Sequence, residues 1–243
     1  MKRHIPATVW LLWAACLPVQ AATTFDGTLR EEGGGELRLV EAITTTPSET
    51  TLTRRVDEPT GAQRYASRTV LGADRVVWSV GAGHPAQRVT VEITSGEVIA
   101  RDPSGRERWR AKPEAPLCLP ELVADLAVQA DAQVRDEEGL ACLIPIDKAK
   151  KLAPLRLRRM ADADDGSRRY VLQPGSLGMR LFFSRQTFTV SADGRRLLAA
   201  DGQFEVARSL DGRLRYVDGT LVFRAPRELL KLPSALLGPA RVP

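Results

Sequence analysis

The chain reads as a mainly β protein: a curved antiparallel sheet or half-barrel with one main helix packed on it. Three observations predict this. Apolar and polar residues alternate with period two in short runs along most of the chain, Gly-, Pro- and Asp-rich turns punctuate those runs, and only residues 119–136 carry helical spacing. Setting aside residues 1–21 leaves 222 residues, enough for one domain with a substantial core.

Taken in order, Leu37, Leu39 and Ile43 alternate with Arg38 and Ala42 after the Gly33-Gly34-Gly35 turn. Val76, Trp78 and Val80 share one face of the next clear strand. Val89, Val91 and Ile93 do the same after the Gly81-Ala82-Gly83-His84-Pro85 loop. Ser95-Gly96 and Pro103-Ser104-Gly105 are tight turns of a meander. The helix then spans Leu119 to Asp136, with Pro120 in its first turn and Leu122, Val123, Leu126 and Ala127 as its apolar stripe. Gly139 ends it, and Leu140 to Ile146 returns to strand.

Beyond Pro154 the sheet resumes. Asp165-Gly166, Asp193-Gly194 and Asp211-Gly212 are hairpin signals. Asp201-Gly202 is not one. Leu198, Ala200, Gly202, Phe204 and Val206 keep a single parity through it, so Gly202 marks a bulge or bend in a long strand. The same holds at Asp218-Gly219. Residues 22–224 are read as a single β-rich domain. Residues 225–243, with four prolines and Leu229, Leu230, Leu232, Leu236 and Leu237, are read as a loosely docked Pro/Leu-rich C-terminal tail.

The first 21 residues have the layout of a secretory signal peptide. Lys2 and Arg3 precede an apolar run from Ile5 to Leu17, and small residues flank a cut after Ala21. The run is too short to span a bilayer permanently. A second reading takes Trp13-Ala14-Ala15-Cys16 as a lipobox, with Cys16 lipidated and the protein anchored to a membrane as a lipoprotein. In either case the mature protein is expected in the periplasm or on an envelope membrane. Cys118 and Cys142 then remain as one pair, and an oxidising compartment predicts a disulfide between them.

The mature chain carries 33 basic and 30 acidic residues, a formal charge of +3, and arginine far outnumbers lysine. Arg54, Arg64, Arg68, Arg88, Arg156 and Arg158 sit at alternate positions of strand-like runs. They read as a solvated sheet face or as a surface that meets anionic lipid headgroups. Nothing interleaves them with aromatic residues for nucleic acid.

No catalytic arrangement emerges. His84 is the only histidine outside the leader, there is no G-x-S-x-G elbow, and a phosphate-binding glycine loop is lacking. Asp162, Asp164 and Asp165 mimic a calcium loop, but its twelfth position is Gln173 where a bidentate Glu is needed. No metal site and no cofactor are expected. The most distinctive stretch is Pro174 to Phe183. Read as a strand, it places Met179, Leu181 and Phe183 on one face, with Phe188 on the following strand. Together with Trp78 these are the candidate lining of an apolar groove, where Met and Phe accommodate varied acyl shapes.

Phe25-Asp26-Gly27, Leu143-Ile144-Pro145, the Pro174–Phe183 stretch and Arg195-Arg196-Leu197-Leu198 before Gly202 resemble a family of uncharacterised bacterial envelope (periplasmic) proteins. The resemblance covers most of residues 25–223 and implies no activity. More loosely, the architecture is similar to LolA/LolB-type lipoprotein carriers, a curved sheet around an apolar cavity. The expectation is an exported, non-enzymatic envelope protein that binds a lipid or other hydrophobic small molecule. The alternative is a module that docks a membrane surface or an envelope protein, and a hydrolase ranks below both.

Overall fold

The computed structural model describes residues 22–82, 88–181, 183–210 and 213–238, without the side chains at 82, 177, 181, 208–210 and 213–214. Residues 1–21 with Cys16, the segment with His84, Phe182, Asp211-Gly212 and the Leu181 side chain lie outside the described residues.

Fourteen strands form one antiparallel sheet. The first meander comprises β1 (Thr23–Glu31), β2 (Glu36–Thr45), β3 (Glu49–Asp57), β4 (Gln63–Gly72), β5 (Arg75–Ala82), β6 (Val89–Thr94), β7 (Val98–Arg101) and β8 (Glu107–Ala111). The second comprises β9 (Leu140–Ile146), β10 (Lys151–Arg159), β11 (Arg168–Pro174), β12 (Gln186–Val190), β13 (Arg196–Leu210) and β14 (Arg213–Glu228). Pairing of β1 with β14, Gly27 opposite Phe223, joins the two meanders. The sheet curls strongly: β13 comes against β4 although four strands separate them in sheet order.

Alternation puts one parity of each strand on the concave side, as in Leu37, Leu39, Glu41 and Ile43 of β2. Into that concavity packs the helical segment. The helix expected over 119–136 is broken into a 3-10 turn (Pro120–Leu122), α1 (Val123–Gln129) and α2 (Asp131–Val134). Ala130 leaves helical geometry between the last two, at φ −100° and ψ 22°. Val123 through Ala127 are all buried, as expected of a helix enclosed by a sheet rather than lying on it.

The sheet is not closed. Edge strand β9 is covered by residues 116–118: Cys118 N donates to Leu143 O (2.9 Å) and Leu143 N to Pro116 O (2.8 Å). The Cys118–Cys142 disulfide, with Cα atoms 5.8 Å apart, pins the same place. Across the gap, the other edge is tethered by side chains. Arg108 pairs with Asp147, and Trp109 Nε1 donates to Asp147 Oδ1 at 3.2 Å.

Asp165-Gly166 and Asp193-Gly194 are turns, with Gly166 at φ 79° and Gly194 at φ 74°. Strand β13 runs unbroken through Gly202, which faces Gly219 of β14 directly. The register shifts lie elsewhere, between Leu197 and Ala199 and between Phe204 and Ala207. The first shift buries Leu197 and leaves Leu198 half-buried, against the parity expected from sequence. Both opposed residues must be glycine, because backbone crowds them. A Cβ on Gly202 would stand 2.3 Å from Arg185 O, and one on Gly219 2.2 Å from Arg30 O.

Two further expectations are corrected. Residues Leu177–Leu181 form a 3-10 helix, not a strand, so strand parity does not apply to Met179 and Leu181. Arg54 does not belong to the solvated arginine face; it is buried on the concave side between Leu52 and Val56, whereas Arg68 and Arg88 are exposed. At the C-terminus β14 runs on to Glu228, and α3 (Ser234–Leu237) follows. Leu232, Ala235 and Leu236 are buried, and Leu117 N donates to Leu236 O at 2.8 Å, so this segment belongs to the core.

Candidate functional site

The helical segment and the C-terminal segment with α3 pack on the concave face. Beside them lies a cavity of about 540 Å³. Trp78 and Val80 late in β5, Val89 and Val91 early in β6, and Ile144 and Ile146 late in β9 form its walls. Antiparallel pairing, Val80 opposite Val89, brings these positions to the same end of the sheet. Met179 and Phe183 close another side. Phe183 N donates to Met179 O (2.9 Å), and this single turn places the two side chains, four residues apart, on one face.

A hairpin covers the cavity. Beyond Gly202 and Gly219, β13 and β14 have no flanking strand, since β12 stops pairing at Gly202 and β1 at Gly219. The ribbon's Gln203, Phe204, Glu205, Arg215, Tyr216 and Asp218 line the cavity. Among the contacts that hold it down, Ser184 N donates to Gln203 Oε1 (3.3 Å), Arg54 Nη1 to Glu205 Oε2 (3.4 Å) and Glu32 N to Asp218 O (3.0 Å).

Beneath the apolar walls is a buried polar core. Glu121, in the 3-10 turn at the floor, accepts hydrogen bonds at Oε1 from Tyr65 OH (3.0 Å), Ser67 Oγ and Trp78 Nε1 (3.3 Å). Its other oxygen has no hydrogen-bond partner among the described residues. Next to it, Arg54 grips Glu41, and Arg227 joins Glu41 (3.0 Å) and Asp125 (2.7 Å). Burial, reinforced by the charges of Glu121 and Glu41, outweighs Arg54 and pushes the Glu205 carboxyl up to about 7. Burial and the Glu121 charge likewise push the Tyr65 hydroxyl well above its usual range.

Of the residues expected to line a groove, Trp78, Met179 and Phe183 meet at this cavity. Phe188 does not: it is buried in β12 opposite Tyr170 and Ala200 and packs into the sheet core. Sequence reasoning missed Glu41, Arg54, Glu121, Asp125, Glu205 and Arg227. The available signal was parity, since Glu41 and Arg54 occupy the apolar face of their strands. Among the described residues no group of three His, Cys, Asp or Glu side chains is placed to hold a metal ion. No protein-family model, curated protein or solved structure matches this chain, so the cavity is read from its own geometry.

Proposed function

We propose that the chain is an exported, non-enzymatic envelope protein that holds a lipid or other hydrophobic ligand in this cavity. The observation that carries the reading is an apolar wall of Trp78, Met179 and Phe183 enclosed within a curled sheet. Its volume of about 540 Å³ falls within the roughly 300–1,000 Å³ of small-molecule pockets. If a methylene takes about the 30 Å³ share of a liquid water, that space holds about 18 of them, one acyl chain. Met179 and the phenyl rings adapt to a chain without fixed shape. The Cys118–Cys142 disulfide fits an oxidising compartment.

Native mass spectrometry of protein extracted gently from its own envelope tests this. An added mass of several hundred daltons that leaves on denaturation is expected, and Met179→Glu should remove it while circular dichroism stays unchanged. A bare polypeptide, or unchanged ligand content in the folded variant, overturns the reading.

A further inference from the structure

Three cations from three separate elements converge on the mouth of the cavity. Lys148 follows β9, Arg180 is the neighbour of Met179, and Arg215 lies on the covering hairpin. All three are exposed, and none forms an ion pair among the described residues. Other exposed arginines, Arg68, Arg88 and Arg224 among them, also lack an ion pair among the described residues, but none of those lines this cavity. The exposed Arg30, Arg38, Arg55, Arg75, Arg110 and Arg135 each hold a carboxylate at 2.6–3.0 Å.

Acidic groups at the same opening do not cancel the three. Asp147 is engaged by Arg108 and Trp109, and Glu205 lies inward against Arg54. Of the acidic lining residues, Asp218 alone is left without a cation among the described residues. Apolar walls below a cationic rim match a molecule that is apolar at one end and anionic at the other. Arginine suits such a head because its planar fork grips carboxylate and phosphate alike.

We propose that the occupant is an anionic amphiphile, its single acyl chain against Trp78, Met179 and Phe183 and its carboxylate or phosphate head between Lys148, Arg180 and Arg215. This rests on the ligand-binding reading above. It adds the sign of the head, the number of chains and the residues that select them.

The test is titration of the mature protein with four single-chain oleoyl compounds below their micelle concentrations: oleate, lysophosphatidylglycerol, lysophosphatidylcholine and monoolein. The anionic pair is expected to bind at least about tenfold tighter than the zwitterionic and neutral pair, about 1.4 kcal/mol, with the difference shrinking in high salt. Whichever of oleate and lysophosphatidylglycerol binds better identifies a fatty carboxylate or a lipid phosphate as the source of the charge. The triple variant Lys148→Gln, Arg180→Gln, Arg215→Gln changes only exposed side chains. It should lose the preference while its affinity for monoolein and its melting temperature stay unchanged. Equal binding of all four, or a preference that survives in the triple variant, overturns the anionic assignment and leaves the ligand-binding reading standing. Binding of none overturns both.

Discussion

Arg227 on β14 forks onto Asp125 on α1, its two terminal nitrogens 2.7 Å and 3.1 Å from the two carboxylate oxygens, and neither side chain is exposed to solvent. The same guanidinium reaches Glu41 on β2, and Leu230 N donates to Asp125 Oδ1 at 2.6 Å. The helix is therefore fastened to the sheet through the last strand of the chain. A buried ion pair gains little net stability over an apolar pair, because desolvation offsets attraction. Breaking one side of it is costly, because a charge is then left without a partner.

The Arg227→Ala variant should accordingly lose about 3–5 kcal/mol, read from chemical denaturation midpoints. Truncation after Arg224 should be at least as damaging, since it also removes the buried Leu232 and Leu236. A midpoint unchanged in Arg227→Ala would mean that the helix is held by the apolar contacts alone, and one unchanged after truncation that the C-terminal segment does not brace it.

Reducing the Cys118–Cys142 bridge releases a loop of sequence separation 24. The chain-entropy estimate for a loop of that size is about 3 kcal/mol. The backbone bonds of residues 116–118 to Leu143 remain, so the reduced protein should keep its sheet and melt at lower temperature. Thermal unfolding with and without dithiothreitol, followed by circular dichroism, checks both halves of the expectation.

The opposed glycines make a sharper contrast. Gly219→Ala forces a methyl group toward Arg30 O, and the neighbouring β1 backbone must shift, at a cost of roughly 1–3 kcal/mol or more. Gly81→Ala, with nothing within 4 Å of its Cβ position, should stay within about 0.5 kcal/mol of the parent. Equal stability of the two variants would show that the hairpin does not need the close approach seen at Gly219.

Glu205 sets a pH dependence. Its folded-state carboxyl titrates near 7, above the ordinary 4.5, so the native state binds the extra proton between those values. Where the native state binds more protons, stability falls as pH rises. The penalty should therefore grow from about pH 4.5 to about pH 7 and then level off. Glu205→Gln removes the titration, so its melting temperature relative to the parent should be higher at pH 8 than at pH 4.5. A pH-independent difference would show that Glu205 is ordinarily solvated.

Much of this architecture is legible in sequence. Alternation at Leu37, Leu39 and Ile43, and again at Val76, Trp78 and Val80, fixes strands because period two has no helical equivalent. The Met179–Phe183 stretch misleads for the opposite reason. Short apolar runs satisfy both periods, and here the i, i+4 relation of Met179 to Phe183 prevailed over i, i+2. Arg54 and Arg227 were hidden because arginine is rarely buried without a partner. Arg227's partner is far away in the chain, Asp125 lying 102 residues before it, and Arg54's partner Glu41 becomes its neighbour only once β2 and β3 pair in register. The unpaired cations at the mouth could not be told from the paired arginines elsewhere, because pairing depends on which hairpins the curled sheet brings together.

The most direct measurement of the central claim uses the tryptophan in the cavity wall. Trp78 lines the cavity and Trp109 does not, and these are the two tryptophans beyond residue 21. A stearate chain brominated at its middle carbons quenches indole fluorescence only on contact. Saturable quenching in the parent protein, lost in Trp78→Phe while Trp109 still emits, is expected if an acyl chain enters the half-barrel. No quenching, or equal quenching in Trp78→Phe, would contradict it.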